Sequence, residues 1–180
     1  MFTPTKRAFL AALALMGASL ALAPLPAAAQ SPGALSAASA LAGEHPAGYY
    51  KKAGELFGAG RKDDAVFIFY LGQLRYRVHL QARNAELKPD GDPALFASLS
   101  EVVGRPLNEY AFGDIPVLAK TLDAVLAYDQ KNPDTFTPPA RFAAAHERTR
   151  AGLAAMRTQL LQQADSIRTQ RKKNGLENRS

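Results

Sequence analysis

The chain contains no cysteine. That absence removes thiol nucleophiles, disulfide exchange, iron–sulfur clusters and every cysteine-bearing zinc site from its chemistry. It also leaves no thiol to carry a lipid at a processing site. Histidine is scarce as well: His45, His79 and His146 are far apart in sequence. None has a second histidine at helical ligand spacing, and His146 with Glu147 lacks the rest of a zinc-protease helix motif. Sequence spacing therefore yields no metal site and no cofactor. A serine nucleophile elbow and a phosphate-binding loop are absent too. Long hydrophobic runs are limited to Ala8 through Leu22, shorter than the roughly 20 apolar residues a spanning helix needs.

Acids are the minority, 16 against 22 basic residues, for a net charge of +6. The basic residues interleave with acids along most of the chain, and no clustered basic motif with interleaved aromatics occurs, so nucleic acid is not an expected partner. The excess permits weak association with anionic envelope polymers or an anionic membrane surface.

What is present begins with an export signal. Lys6 and Arg7 precede the apolar run, which breaks at Pro24 and Pro26, and Ala27 and Ala29 offer the small side chains a signal peptidase accepts. Residues 1–29 read as a cleavable signal peptide, and the mature chain, from Gln30, is expected in the periplasm or outside the cell. Its length suits one domain. A chain of that size buries roughly 68–70% of its unfolded surface, so it needs no disulfide to be stable.

Residues 30–44, mostly Ala, Ser, Gly and Leu without firm periodicity, read as a flexible leader or a weak helix joining the export signal to the fold. A helical domain follows over 45–173. Tyr50, Ala53, Leu56 and Phe57 share a helical face before Gly58 and Gly60. Asp63 and Asp64 open a second helix reaching Arg83. Its run Val66 to Leu71 could by itself be a buried strand, but no turn signal interrupts the longer stretch. Asp92 and Pro93 read as cap and first turn of a third helix, with Gly104 as its stop. Asp114 repeats the cap signal for a helix ending before Pro133. Thr137 is the expected cap of the longest helix, whose narrow stripe runs through Phe142, Ala145, Thr149, Leu153, Met156, Leu160, Ala164 and Ile167. Arg168, Arg171, Lys172 and Lys173 meet the negative end of that helix dipole, and 174–180 read as a disordered tail. The fold class is all-α: a small bundle of about five helices with an N-terminal hairpin and a long C-terminal helix.

The hairpin from about Tyr49 to Leu80 resembles a single tetratricopeptide-like or Sel1-like unit. Ala53 is the small residue that lets two helices approach, Leu56 takes the next facing position, Gly60 lies near the turn, Ala65 follows, and Phe69 and Gly72 fill the large and small positions of the second helix. Lys52 and Arg77 depart from the leucine and proline of such units. No second copy follows about 34 residues later. The resemblance implies a protein–protein binding role.

Two sets of residues are candidates for that role. Arg75, His79 and Arg83 stand at i, i+4 and i+8 on the second helix, forming a stripe that could contact an anion. Arg105, Asn108, Glu109 and Tyr110 occupy a varied corner between helices, where recognition residues concentrate. Glu55, Glu101, Glu109 and Asp114 are the carboxylates a glycan-cleaving envelope enzyme would draw on, but their spacing selects no pair. The expectation is a non-enzymatic periplasmic module that binds another protein, as an adaptor or as an immunity-type inhibitor of a secreted toxin. Export predicts that the chain recovered from the periplasm starts at Gln30. Intact-mass measurement decides this, and a product retaining Lys6 and Arg7 would refute the cleavage.

Overall fold

A computed structural model describes residues 30–179; the export signal expected at 1–29 lies outside the described residues. Within them the protein is all-α, with no strand. The helices are α1 (Pro32–Ala40), α2 (Ala47–Gly58), α3 (Lys62–Ala82), α4 (Asp92–Leu99), α5 (Arg105–Ala111), α6 (Ile115–Lys131), α7 (Pro139–Gln162) and α8 (Ala164–Lys173), with a π-helical segment, Ser100–Gly104, between α4 and α5. No helix among them is long and apolar enough to cross a membrane.

Helix α3 is the axis of the bundle. Every residue from Ala65 to Gly72 is buried, so the ambiguous run Val66 to Leu71 is helical and apolar all round because neighbours surround it. Helices α1, α2, α5, α6 and α7 all pack on α3. Asp63 and Asp64 sit in its first turn, where carboxylates complement the positive end of the dipole. Burying each of Phe67, Ile68, Phe69 and Leu71 contributes about 1.5–3 kcal/mol.

The α2–α3 pair is an antiparallel hairpin closed by small residues. Ala53 is fully buried, and a Cβ built on Gly72 would collide with the Cβ of Tyr49. Further along, the chain does not stop at Gly104. It passes from the π-helical segment into α5, and a Cβ on Gly104 would stand 3.0 Å from Cζ of Phe69. Gly104 thus serves close approach to α3, not helix termination. This π-helical passage, with α1 and α8, is why the bundle has more helices than the expected five.

Four other expectations are corrected. The segment 30–44 is not a flexible leader: α1 lays Ala34 and Ala38, both fully buried, against α3. Ser31 caps α1 by accepting from the Ala34 N–H at 3.0 Å and donates to Asp64 at 2.7 Å. Residues 174–179 fold back instead of fraying. The Arg179 N–H donates to the Gly113 carbonyl at 2.7 Å, and its guanidinium lies 3.6 Å from the Tyr110 ring centroid. The long C-terminal stripe is divided at Gln163, where α7 gives way to α8, and Pro138, not Thr137, occupies the N-cap of α7. Asp134 accepts from the Phe136 and Thr137 N–H groups at 3.1 and 3.2 Å and shapes that entry. By contrast Asp114 caps α6 as expected, accepting from the Val117 N–H at 3.1 Å.

Because Gly72 faces rigid Tyr49 backbone and Cβ atoms, Gly72→Ala is expected to cost about 1–3 kcal/mol despite the better helix propensity of alanine. Urea denaturation measures this; an unchanged or raised midpoint would show that the hairpin can spread freely.

Candidate functional site

The stripe Arg75, His79, Arg83 does not form a contact surface. Arg75 is 2% exposed. Its Nε donates to Asp129 Oδ1 at 3.3 Å, one terminal nitrogen donates to the Asn132 carbonyl at 2.8 Å, and the other donates to the Tyr49 hydroxyl. Burial alone would lower its pKa, but Tyr49, Asp129 and Asp134 hold it above the ordinary arginine value. Arg150 from α7 donates to the second oxygen of Asp129 at 2.8 Å. Burial pushes the Tyr49 phenol up to about 12 against the opposing charge of Arg75; the hydroxyl donates onward to the Leu41 carbonyl at 3.0 Å. His79 is likewise buried. Arg83, half-buried, pairs with Glu86 at 3.2 Å and lies 5.5 Å from the Phe142 ring centroid.

The corner residues divide. Tyr110 donates its hydroxyl to Asp63 at 2.9 Å and is flanked by Arg179 and Lys62, while Asn108 accepts from the Tyr70 hydroxyl at 2.9 Å. Both pin α5 to α3. Arg105 and Glu109 are exposed, and Arg105 pairs with Glu101. These two border an open hollow of about 420 Å³ with Glu101 and Asn108. Of the other candidate carboxylates, Glu55 pairs with Lys52 on the surface and Asp114 is a helix cap.

The outward face of α3 lies two residues from the one expected. Arg77 and Gln81 are exposed, and with α7 they bound a groove of about 280 Å³. Leu74, Leu153 and Met156 line its apolar part; Arg77, Gln81 and Arg148 its polar part. Gly152 notches α7 here, since a Cβ on it would meet nothing within 4 Å. No acidic residue lines the groove, and neither arginine is in an ion pair among the described residues. Arg77 lies 5.4 Å from the Phe96 ring centroid. The signal missed in the sequence was phase: the buried character of α3 erased the periodicity that would have told Arg77 from Arg75.

Two of the scattered histidines meet. His45, in the turn before α2, and His79, near the end of α3, both direct Nε2 at Asp92, at 3.3 and 2.7 Å on separate carboxylate oxygens. Gly91, not Asp92, is the N-cap of α4, whose first turn holds the carboxylate. Burial would raise the Asp92 pKa, but the hydrogen bonds from His79 and His45 outweigh it and leave the group below its ordinary range. Among the described residues, this is the group whose atoms could hold a metal ion. His146 stands apart, its Nε2 2.7 Å from the Thr137 carbonyl.

No family model, characterised protein or solved structure matches this chain. For the buried network, Asp129→Ala leaves two guanidinium groups without their shared carboxylate and is expected to cost about 3–5 kcal/mol. Chemical denaturation checks the value, and a loss below about 1 kcal/mol would place the pair in the range of surface ion pairs.

Proposed function

We propose that the protein is a non-enzymatic, exported binding module, an adaptor or immunity-type inhibitor of a secreted toxin, and that the α3–α7 groove receives an acidic amphipathic segment of its protein partner. The observation that carries this reading is the groove's lining. Leu74, Leu153 and Met156 provide apolar area beside Arg77 and Arg148, with no acid near enough to line the same space. Such a surface complements a helix or extended segment with one apolar face and carboxylates beside it. The Gly152 notch gives an incoming side chain somewhere to go.

The α2–α3 hairpin, with small residues Ala53 and Gly72 at its closest approach, supports the reading through its resemblance to tetratricopeptide-type units that bind other proteins. The exposed pair Arg105 and Glu109 extends the polar surface available to a partner along a second side. Of the candidate carboxylates, Glu55 and Glu101 sit in surface ion pairs and Asp114 caps α6, while Glu109 is exposed beside the hollow at α5. Periplasmic residence follows from the export signal, and the partner is sought in that compartment.

The test is affinity capture from periplasmic extract with the intact protein, paired with Arg77→Glu, Arg148→Glu and Gly152→Phe. Charge reversal at either arginine should weaken the captured partner's binding by about tenfold or more. Gly152→Phe should block the notch while leaving folding intact, because phenylalanine is the better helix former. Equal capture of the same partner by all three variants, with unchanged circular dichroism, would refute the groove as the binding surface.

A further inference from the structure

The cluster of His45, His79 and Asp92 has features that neither packing nor the groove accounts for. It joins three separate elements: the turn before α2, the C-terminal part of α3 and the first turn of α4. Two imidazole nitrogens and a carboxylate converge, all ligand atoms lying within 4.8 Å of one another. Tyr76 and Phe136 wall the site, the His45 ring centroid lying 5.4 and 5.2 Å from theirs. The side chain of His79 is 4% exposed, whereas those of His45 and Asp92 are 36% and 24% exposed. One ligand is therefore held rigidly and the other two face an opening to solvent.

The nitrogens turned away from Asp92 are informative. His79 Nδ1 is buried and has no hydrogen-bond partner. A buried ring nitrogen is normally paired, because an unpaired one forfeits its hydration. The proton on His79 Nε2 is held by the 2.7 Å hydrogen bond to Asp92, which a bound cation would replace; moving that proton to Nδ1 breaks no hydrogen bond at Nδ1 and frees the Nε2 lone pair that faces the carboxylate. His45 Nδ1 accepts from the Ala47 N–H at 3.2 Å. That donor belongs to the first residue of α2, where backbone N–H groups have no partner inside the helix. His45 can surrender this bond to water.

The geometry points to a divalent transition-metal site of the zinc class at His45 Nε2, His79 Nε2 and the Asp92 carboxylate, completed by water on the exposed side. Two imidazoles and a carboxylate are a donor set that zinc takes with a fourth, open position. Imidazole donors favour zinc, nickel and copper over the oxygen-seeking magnesium and calcium. Binding balances without net proton release: each ring moves its proton from Nε2 to Nδ1 through solvent, and the ion takes the place of both protons beside the carboxylate. Because the ligands come from three elements, the ion would cross-link α4 to the hairpin. Bound to the folded state alone, it would also stabilise that state. The site is independent of the α3–α7 groove, so the two readings stand or fall separately.

The experiment is calorimetric titration of the full chain with zinc chloride, repeated on His45→Ala and Asp92→Asn, together with nitrogen-15 spectra of the histidine rings. Expected are one zinc ion per chain, affinity weakened by about tenfold or more in each variant, and shifts of the His45 and His79 Nε2 signals with His146 unmoved. Magnesium chloride should give no saturable binding. The ring spectra of the unaltered chain keep the test decisive should a variant fold poorly. Absence of saturable zinc binding, binding undiminished in both folded variants, or ring shifts confined to His146 would overturn the assignment.

Discussion

Asp129 has no solvent exposure, and the guanidinium groups of Arg75 and Arg150 share its two oxygens. Removing the charges of Arg75 and Asp129 from water is costly, Arg150 staying partly exposed, and their attraction offsets that cost only when the remaining donors also find partners. Arg75 meets the condition through the Tyr49 hydroxyl and the Asn132 carbonyl. The network therefore joins α2, α3, α6, α7 and the turn after α6 at one point. An apolar core of similar volume could be as stable, but it would lack the charge penalty that adds to packing in opposing a slipped register. The ionic cluster supplies it, because each slipped register strands a buried charge.

That fixed register determines where recognition surfaces can lie. With α3 enclosed over most of its circumference, its polar residues divide into an inner set that holds the bundle and an outer set that meets solvent. Arg75 and His79 belong to the first, Arg77 and Gln81 to the second. The groove beside Arg77 exists because the Arg150–Asp129 bond ties α7 to α6 and a narrow stripe packs α7 on α3, leaving Gly152 outside the contact. Chain connectivity has the corresponding effect on the buried side of the same, C-terminal end of α3. There the turn before α2 and the start of α4 converge on His79, bringing together groups that lie far apart along the chain.

Legibility varied with side-chain character. The stripe of α7 could be read because Leu153 and Leu160 contrast sharply with polar neighbours, and both are buried. The cap at Asp114 was readable because an acid before Ile115 and Pro116 has few other structural uses. Helix α1 was obscured because alanine and serine give almost no contrast, although Ala34 and Ala38 pack as tightly as any core residue. Gly104 misled because close packing and helix termination both favour glycine. Arg171 did so because a basic residue near a helix end suits the dipole whether or not it turns inward. Here its guanidinium donates to the Glu177 carbonyl at 2.6 Å and holds the returning tail.

The all-α class and the sequence positions of the α2–α3 hairpin, α6 and most of α7 follow from hydrophobic spacing and turn chemistry, which act over a few residues and are written locally. The exclusion of thiol chemistry follows from composition alone. Tertiary structure decided which arginines are structural, and whether histidines distant in the chain meet. It also decided that the alanine-rich leader and the basic tail belong to the packed body. These outcomes depend on how helices rotate and cross. A helix enclosed on all sides carries no periodic mark of its orientation, and the partner of a buried charge is set by the register of elements that sequence distance does not encode.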